Sequence, residues 1–179
     1  MLLTISGDIG SGKSTVAHLL SARLGYAYVS GGDIFRQEAK KRGMTLVEFG
    51  TLAERDDSID RELDRILLQE LGTKKNVIVD SRLSGWLCFM NGIYAIKVFV
   101  TAPFEIRVRR VMYRENQPEE QVREEIINRE ESEKKRYMSY YDIDYARKDI
   151  YDLIVDSGSK SAEEIADELY DRVLAVSGK

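Results

Sequence analysis

Short apolar runs, rich in branched side chains, alternate along the chain with longer stretches in which apolar positions recur every three or four residues. The apolar runs predict five β-strands, at residues 2–5, 26–29, 76–79, 95–100 and 153–155. The periodic stretches predict α-helices, most clearly at residues 13–24, 59–71, 103–114, 118–136 and 162–176. Because strands and helices alternate, the pattern predicts an α/β fold with a five-stranded parallel sheet and helices on both faces.

Local signals mark several helix boundaries. Ser161 and Glu164 have the spacing of a capping box at the start of the last predicted helix. Pro103 and Pro118 are the only prolines, and both are expected in a first helical turn, where no N–H is missed. No repeat, low-complexity tract or linker interrupts the 179 residues, so we expect one domain over residues 1–179.

Composition narrows the class of protein. Hydrophobic residues make up 43% and charged residues 32%, with a formal net charge of −4. This balance does not favour nucleic-acid or membrane binding, and the apolar runs are too short to span a bilayer. Cys88 is the only cysteine, which excludes an intramolecular disulfide and a cysteine metal cluster. With no basic segment before the first strand, we expect a cytoplasmic protein without a targeting sequence.

Residues 7–14 carry the phosphate-binding motif G-x-x-x-x-G-K-[ST], as Gly7-Asp8-Ile9-Gly10-Ser11-Gly12-Lys13-Ser14. The motif lies between the first predicted strand and the first predicted helix, which is the context that it requires. Its backbone N–H groups and the helix N-terminus would bind the phosphates of a nucleoside triphosphate. We expect Lys13 to reach the β- and γ-phosphates and the Ser14 hydroxyl to bind Mg²⁺.

Ligands of open parallel sheets bind beyond the carboxyl ends of the strands, so the residues after each strand are candidates for the site. After the second strand, Gly32 and the glycine before it allow a close backbone approach, and Asp33 is expected to cap a helix. Arg36, one turn on, is expected to bind a phosphate. Asp80 ends the third strand, where phosphate-loop enzymes hold Mg²⁺ through water. Arg82 could form a surface pair with Asp80, but its position favours the site.

Arginines on two later helices complete the candidate site. Arg110 lies on the helix after the fourth strand, and Arg129 and Arg136 share a face of the next helix with Glu133. Phosphoryl transfer needs planar, permanently charged donors, so we expect Arg110, Arg129 and Arg136 to be catalytic. Five other charged residues of that helix are expected to form a solvated face: Glu125, Glu130, Glu131, Lys134 and Lys135.

The sequence resembles the archaeal-type cytidylate kinases almost from end to end. The matching blocks are the phosphate loop and residues 30–36, 80–86, 102–107, 129–137 and 151–155, of which 82–86 and 129–137 are the most specific. The resemblance implies a P-loop nucleoside triphosphate hydrolase fold with a nucleoside monophosphate (NMP)-binding segment, about residues 33–60, and a lid, about residues 113–136. It also implies a monomeric, Mg²⁺-dependent enzyme that transfers the γ-phosphate of ATP to CMP or dCMP.

The resemblance further implies roles for individual residues. Arg36 and Arg82 match arginines that bind the CMP phosphate, and Arg129 and Arg136 match lid and bridging arginines. The implied CMP-binding residues are Gly32, Asp33, Arg36, Arg82 and Glu133. The implied ATP-binding residues are Gly7, Asp8, Ile9, Gly10, Ser11, Gly12, Lys13, Ser14 and Thr15. The implied metal ligands are Ser14 and Asp80.

Other functions remain open from the sequence. The proposed acceptor is already an anion near neutral pH, so catalysis needs alignment and charge neutralisation but no general base. A kinase that acts on another NMP is one alternative. A kinase for shikimate, gluconate or dephospho-coenzyme A would instead need a carboxylate at the acceptor hydroxyl, for which Asp33 or Asp80 could serve. A nucleotide-dependent switch or assembly factor would bind ATP through the same loop with little turnover.

Overall fold

The computed structural model describes residues 1–176 and contains a five-stranded parallel sheet in the order β2-β3-β1-β4-β5. The strands are β1 (Leu2–Gly7), β2 (Ala27–Ser30), β3 (Val77–Asp80), β4 (Ile96–Thr101) and β5 (Leu153–Asp156). The predicted α/β class and the five strands are therefore confirmed. All strands are parallel, so their carboxyl ends meet at one edge of the sheet.

Eight helices occur within residues 1–176. They are α1 (Lys13–Leu24), α2 (Gly31–Lys41), α3 (Leu46–Ala53), α4 (Asp57–Thr73), α5 (Ser84–Met90), α6 (Phe104–Glu115), α7 (Glu119–Tyr141) and α8 (Ala162–Val176). The predicted bounds of α1 and α8 are confirmed, whereas α7 continues past its predicted end at 136 to Tyr141. Helices α3 and α5 were not predicted from the sequence. In α5 most residues are buried, so no polar face marks its period.

Helices cover both faces of the sheet, as predicted. Along β4, Val98 packs in the layer of α1 and α8, while Phe99 packs in the layer of α4 and α5. The strands β1 and β3 are buried on both sides, which is why they read as continuous apolar runs. No helix within residues 1–176 is long and apolar enough to cross a membrane.

Two smaller apolar clusters lie outside the sheet layers. Val122 and Ile126 of α7 pack with Val108 and Val111 of α6 and reach Ile9 of the phosphate loop. A second cluster joins α2, α3 and α4 around Phe49. Each cluster gives a segment beside the sheet its own small core, and the two segments overlap the predicted lid and NMP-binding regions.

The helix starts confirm one prediction and correct two. Glu164 N–H donates to Ser161 Oγ at 3.1 Å and Ser161 N–H donates to a Glu164 carboxylate oxygen at 2.7 Å, so the capping box is present. The cap of α2 is Ser30, whose hydroxyl accepts the Asp33 N–H at 3.1 Å. The prediction that Asp33 is the cap was wrong, because the last residue of β2 already has the extended backbone of a cap. Pro103 and Pro118 precede the first turns instead of lying within them.

Candidate active site

The phosphate loop leaves β1 in a conformation that only glycine permits at two positions. A Cβ on Gly7 would lie 2.2 Å from the carbonyl oxygen of Val100, because β1 and β4 are neighbours there. Gly10 has a φ of +77°, and a Cβ on it would lie 2.7 Å from the carbonyl oxygen of Arg107. The loop therefore lies tightly between β4 and α6 and leads directly into α1, whose N-terminus attracts anions.

Lys13 links the loop to the end of β3. Its ammonium lies 3.1 Å from Asp80 Oδ1 and 3.3 Å from Ser14 Oγ. Asp80 is buried, and its other carboxylate oxygen accepts a hydrogen bond of 2.9 Å from the Tyr28 hydroxyl. Burial and the charge of Asp80 raise the pKa of Tyr28 above its usual range, so this phenol remains a donor. Tyr28, which the sequence analysis did not single out, thus orients the Asp80 carboxylate from β2.

The oxygen atoms around Lys13 fit a magnesium ion. Mg²⁺ prefers oxygen ligands and usually takes only one or two from the protein, with phosphate and water completing its shell. Asp80 Oδ1 is buried without a hydrogen bond from any of residues 1–176, although it faces the Lys13 ammonium. The described chain has no cluster of three or more His, Cys, Asp or Glu side chains that could hold a metal ion. Ser14 and Asp80 therefore suit a metal that arrives with a nucleotide.

Arg82 and Glu133 form a partly buried ion pair next to the phosphate loop. Arg82 Nε donates to Glu133 Oε2 at 2.6 Å, Nη2 donates to the same oxygen, and Nη1 donates to the carbonyl oxygen of Gly7 at 2.5 Å. Burial alone would raise the pKa of Glu133, but the charge of Arg82 brings that pKa below its ordinary value. The structure thus brings together two predicted CMP-binding residues. The alternative pairing of Arg82 with Asp80 does not occur.

Gly32, Asp33 and Arg36 lie together at the start of α2. Arg36 Nη2 lies 2.6 Å from Asp33 Oδ1, and this hydrogen bond lowers the pKa of Asp33. A Cβ on Gly32 would lie 3.4 Å from Arg36 Nη1, so the missing side chain leaves room for the guanidinium. Both charged side chains are more than half exposed. Such a pair contributes little stability, so Arg36 can exchange the carboxylate for a phosphate at low cost.

Arg110 contacts both the phosphate loop and the residue that follows β5. Its Nη1 donates to the carbonyl oxygen of Ser11 at 3.1 Å and to Ser157 Oγ at 2.8 Å. Its Nη2 donates to the carbonyl oxygen of Ser157 at 2.7 Å, just after β5. The Ser157 hydroxyl in turn donates to the carbonyl oxygen of Ser11 at 2.6 Å. Ser157 was not identified from the sequence. In this structure Arg110 therefore holds the loop and the β5 end together.

Arg129 and Arg136 have different environments on α7. Arg136 is 6% exposed, and its Nε lies 2.9 Å from Asp60 Oδ2 of α4. Its Nη1 also donates to the carbonyl oxygen of Gly50 at 3.3 Å. Arg129 is partly exposed and makes no hydrogen bond or ion pair with any residue from 1 to 176, although its charge helps to lower the pKa of Glu133. Of these two predicted catalytic residues, only Arg129 lacks a hydrogen-bond or ion-pair partner within residues 1–176.

A second charged pair shows that one prediction was wrong. Glu130 was expected on a solvated face, but it accepts a hydrogen bond of 2.7 Å from Arg107 of α6. Arg107 is buried and also donates to the carbonyl oxygen of Ile9 at 3.1 Å. Helical spacing within α7 could not reveal this pair, because the partner lies on another helix.

A cavity of about 250 Å³ opens between the phosphate loop, α7 and the segment at residues 142–152. The residues that line this cavity include Asp8, Arg82, Arg107, Glu133, Tyr145 and Lys148. The Tyr145 hydroxyl donates to the carbonyl oxygen of Gly7 at 3.3 Å. Lys148 was missed because neither spacing nor a motif sets it apart.

A phosphate loop, a strand-end aspartate facing its lysine, and arginines from several helices define a P-loop protein built for phosphoryl transfer. The fold agrees with this class. The shikimate kinase from Acinetobacter baumannii, solved in complex with shikimate, superposes with a TM-score of 0.62 at 17% identity, covering 99% of this chain and 95% of that one.

Sequence comparison then gives the family. The model of the cytidylate kinase-like family matches residues 2–159, and the chain belongs to this family. A cytidylate kinase from Haloarcula marismortui is 49% identical over 158 residues, which is 88% of this chain and 81% of the relative. A cytidylate kinase from Halobacterium salinarum is 45% identical over 174 residues, covering 97% of this chain and 89% of the relative.

Proposed function

We propose that this protein transfers the γ-phosphate of ATP to CMP and dCMP, giving ADP with CDP or dCDP. The observation that supports this most directly is the position of the Arg82–Glu133 pair. Arg82 lies within hydrogen-bond distance of Gly7, so a cation suited to the acceptor phosphate adjoins the loop suited to the donor. The names of the relatives favour CMP as that acceptor. We further propose that the enzyme acts as a cytoplasmic monomer that binds neither nucleic acid nor membrane.

The donor side is proposed to use the loop and α1. The N–H groups of residues 7–15 bind the ATP phosphates, and Lys13 carries positive charge to the transferred group. Ser14 and Asp80 hold Mg²⁺, which supplies further neutralisation of phosphate charge when bound. Because the Tyr28 hydroxyl donates to Asp80 and the Lys13 ammonium faces it, the Asp80 carboxylate is oriented before a ligand binds.

The acceptor side is proposed to use α2, the end of β3 and α7. Arg36 and Arg82 bind the CMP phosphate, and Glu133, with Gly32 and Asp33, contacts the nucleoside. Arg110, Arg129 and Arg136 neutralise the charge that spreads over the transferred phosphoryl group. A phosphate acceptor needs no general base. This agrees with the structure, in which both carboxylates that could have served as a base are engaged by other side chains. Asp80 is engaged by Lys13 and Tyr28, and Asp33 by Arg36.

A turnover assay separates this proposal from its rivals. ADP release would be measured with ATP, Mg²⁺ and one acceptor at a time: CMP, dCMP, UMP, AMP, GMP, shikimate or gluconate. We expect the largest kcat/KM with CMP or dCMP. Faster turnover of another nucleotide or of a hydroxyl acceptor would contradict the assignment. ATP binding by calorimetry with no turnover of any acceptor would instead favour a switch or assembly factor.

A further inference from the structure

Lys148 is a partly buried cation without a carboxylate partner among residues 1–176. Its ammonium lies 3.7 Å from the ring centre of Phe99 and 4.2 Å from that of Tyr145. It also donates to the carbonyl oxygen of Tyr145 at 2.6 Å. Aromatic faces and one carbonyl stabilise an ammonium only in part, and it retains further N–H donors that this hydrogen bond does not use.

Two arginines that line the cavity beside Lys148 already have partners. Arg82 is paired with Glu133, and Arg107 is paired with Glu130. Asp8 of the phosphate loop lines the same cavity, but its carboxylate accepts a hydrogen bond of 2.7 Å from Thr101. Lys148 thus adds a partly buried positive charge to the cavity, and no carboxylate among residues 1–176 lies within ion-pair distance of its ammonium.

Arg82 and Lys148 share one aromatic ring. The Arg82 guanidinium lies 5.4 Å from the ring centre of Tyr145, and the Lys148 ammonium lies 4.2 Å from it. Two cations held this close repel each other, and an anion between them would relieve the repulsion. Tyr145 and Phe99 belong to the apolar layer of α4 and α5, on the Arg82 side of the sheet. Arg110 and Ser157 lie at the other end of the phosphate loop.

We propose that Lys148 binds the phosphate of the acceptor nucleotide as a third cation, in addition to Arg36 and Arg82. This inference rests on the proposed function and extends it to a residue outside the motifs that the sequence revealed. The position favours the acceptor over the donor, because Lys148 shares an aromatic ring and a cavity with Arg82, and Lys13 does not line that cavity.

Steady-state kinetics of two variants test the role. Lys148→Met keeps the aliphatic chain on the two rings but removes the charge, and Lys148→Arg keeps the charge. We expect Lys148→Met to raise the KM for CMP about tenfold or more, with a change of less than about twofold in the KM for ATP, since a charged hydrogen bond is lost. Lys148→Arg should restore most of that loss. Lys160→Met, which removes an exposed ion pair with Glu168, is the matched control.

The pH dependence provides a readout that a purely structural role would not change. Burial lowers the pKa of Lys148 to about 8, and the charged or titratable groups that face it are Asp8, Arg82, Lys134, Asp144 and Tyr145. The kcat/KM for CMP reports the free enzyme, so in the parent it should fall as the pH rises through about 8. In Lys148→Arg it should stay level over that range, because arginine remains charged.

Several outcomes would overturn the inference. One is that Lys148→Met has the same KM for CMP as the parent protein. Another is that its KM values for ATP and CMP rise by the same factor. If Lys148→Met does not fold, the pH profile decides: a fall near pH 8 in Lys148→Arg as steep as in the parent would contradict the role. The proposed function fails separately, when the parent prefers another acceptor, and Lys148 is then tested against that acceptor.

Discussion

Arg136 on α7 and Asp60 on α4 form a buried ion pair, with 2.9 Å between Nε and Oδ2. Two neighbouring contacts strengthen this attachment. Lys135 Nζ lies 3.0 Å from a Glu54 carboxylate oxygen, and the Tyr140 hydroxyl donates to the carbonyl oxygen of Ala53 at 2.7 Å. The carboxyl half of α7 is therefore fixed to α3 and α4. The predicted lid at residues 113–136 ends within this fixed part.

Replacing only one partner of the Arg136–Asp60 ion pair should lower the free energy of unfolding. Arg136→Met leaves Asp60 buried without its cation, so we expect the free energy of unfolding to fall by about 3–5 kcal/mol. Arg136→Met combined with Asp60→Leu should lose less, because no unpaired charge remains buried. Urea unfolding followed by circular dichroism measures both. A double variant no more stable than Arg136→Met would contradict this expectation.

Arg129 provides the contrasting variant on the same helix. It makes no hydrogen bond or ion pair with residues 1–176, so Arg129→Met should change the free energy of unfolding by no more than about 0.5 kcal/mol. Its turnover number should nevertheless fall, about a hundredfold if the guanidinium neutralises the transferred phosphoryl group. ADP release at saturating ATP and CMP measures the effect. Parental turnover would remove Arg129 from the proposed mechanism.

Alanine variants of Arg36 and Arg82 should differ in the free energy of unfolding but share the same kinetic defect. Arg36→Ala removes an exposed side chain, so the protein should stay folded while the KM for CMP rises much more than the KM for ATP. Arg82→Ala should also destabilise the fold, because Glu133 loses its cation. Adding Glu133→Gln should recover part of that stability without restoring the CMP affinity. A rise in the KM for ATP alone would show that these arginines bind ATP and not CMP.

The sequence predicted the parts of this site that depend on local chain geometry. The loop at residues 7–14 and the strand-end Asp80 follow from a motif and from the carboxyl ends of parallel strands. Pairs such as Arg107 with Glu130 join different helices, so their spacing in the chain carries no signal. Lys148 lies after α7 in a segment without helix or strand, and its placement on Phe99 depends on tertiary packing alone. The strand order likewise required the structure.

Asp64 on α4 gives a pH dependence of stability. Burial raises its pKa from 3.8 to about 6, although the Tyr141 hydroxyl donates to it at 2.5 Å. Between these pH values the folded chain binds more protons than the unfolded chain, so this group makes the free energy of unfolding fall as the pH rises from about 4 to about 6. Asp64→Asn should therefore be more stable than the parent at pH 7, by up to about 3 kcal/mol.

The measurement is urea unfolding of parent and Asp64→Asn at pH 4 and pH 7. The advantage of the variant should be clear at pH 7 and small at pH 4, where the carboxyl is largely protonated when folded. Asp171→Asn, an exposed change on α8, is the control for loss of a surface charge. An Asp64→Asn variant less stable than the parent at pH 7 would show that the carboxylate stabilises the fold.

The last prediction concerns closure of the segment before the fixed half of α7. In residues 113–130, Val122 and Ile126 pack against α6 and reach Ile9 of the phosphate loop, and Glu130 pairs with Arg107 of α6. So small a cluster opens at much less cost than global unfolding, and phosphates bound at the loop would draw Arg129 inward. We expect amide hydrogen exchange at 113–130 to be fast in the free protein and slowed by an inhibitor joining adenosine to cytidine through phosphates. Residues 133–141 should be protected in both states, because Arg136 and Tyr140 fix them to α3 and α4. Equal protection of residues 113–130 with and without the inhibitor would indicate a rigid hairpin and place closure in residues 33–60 instead.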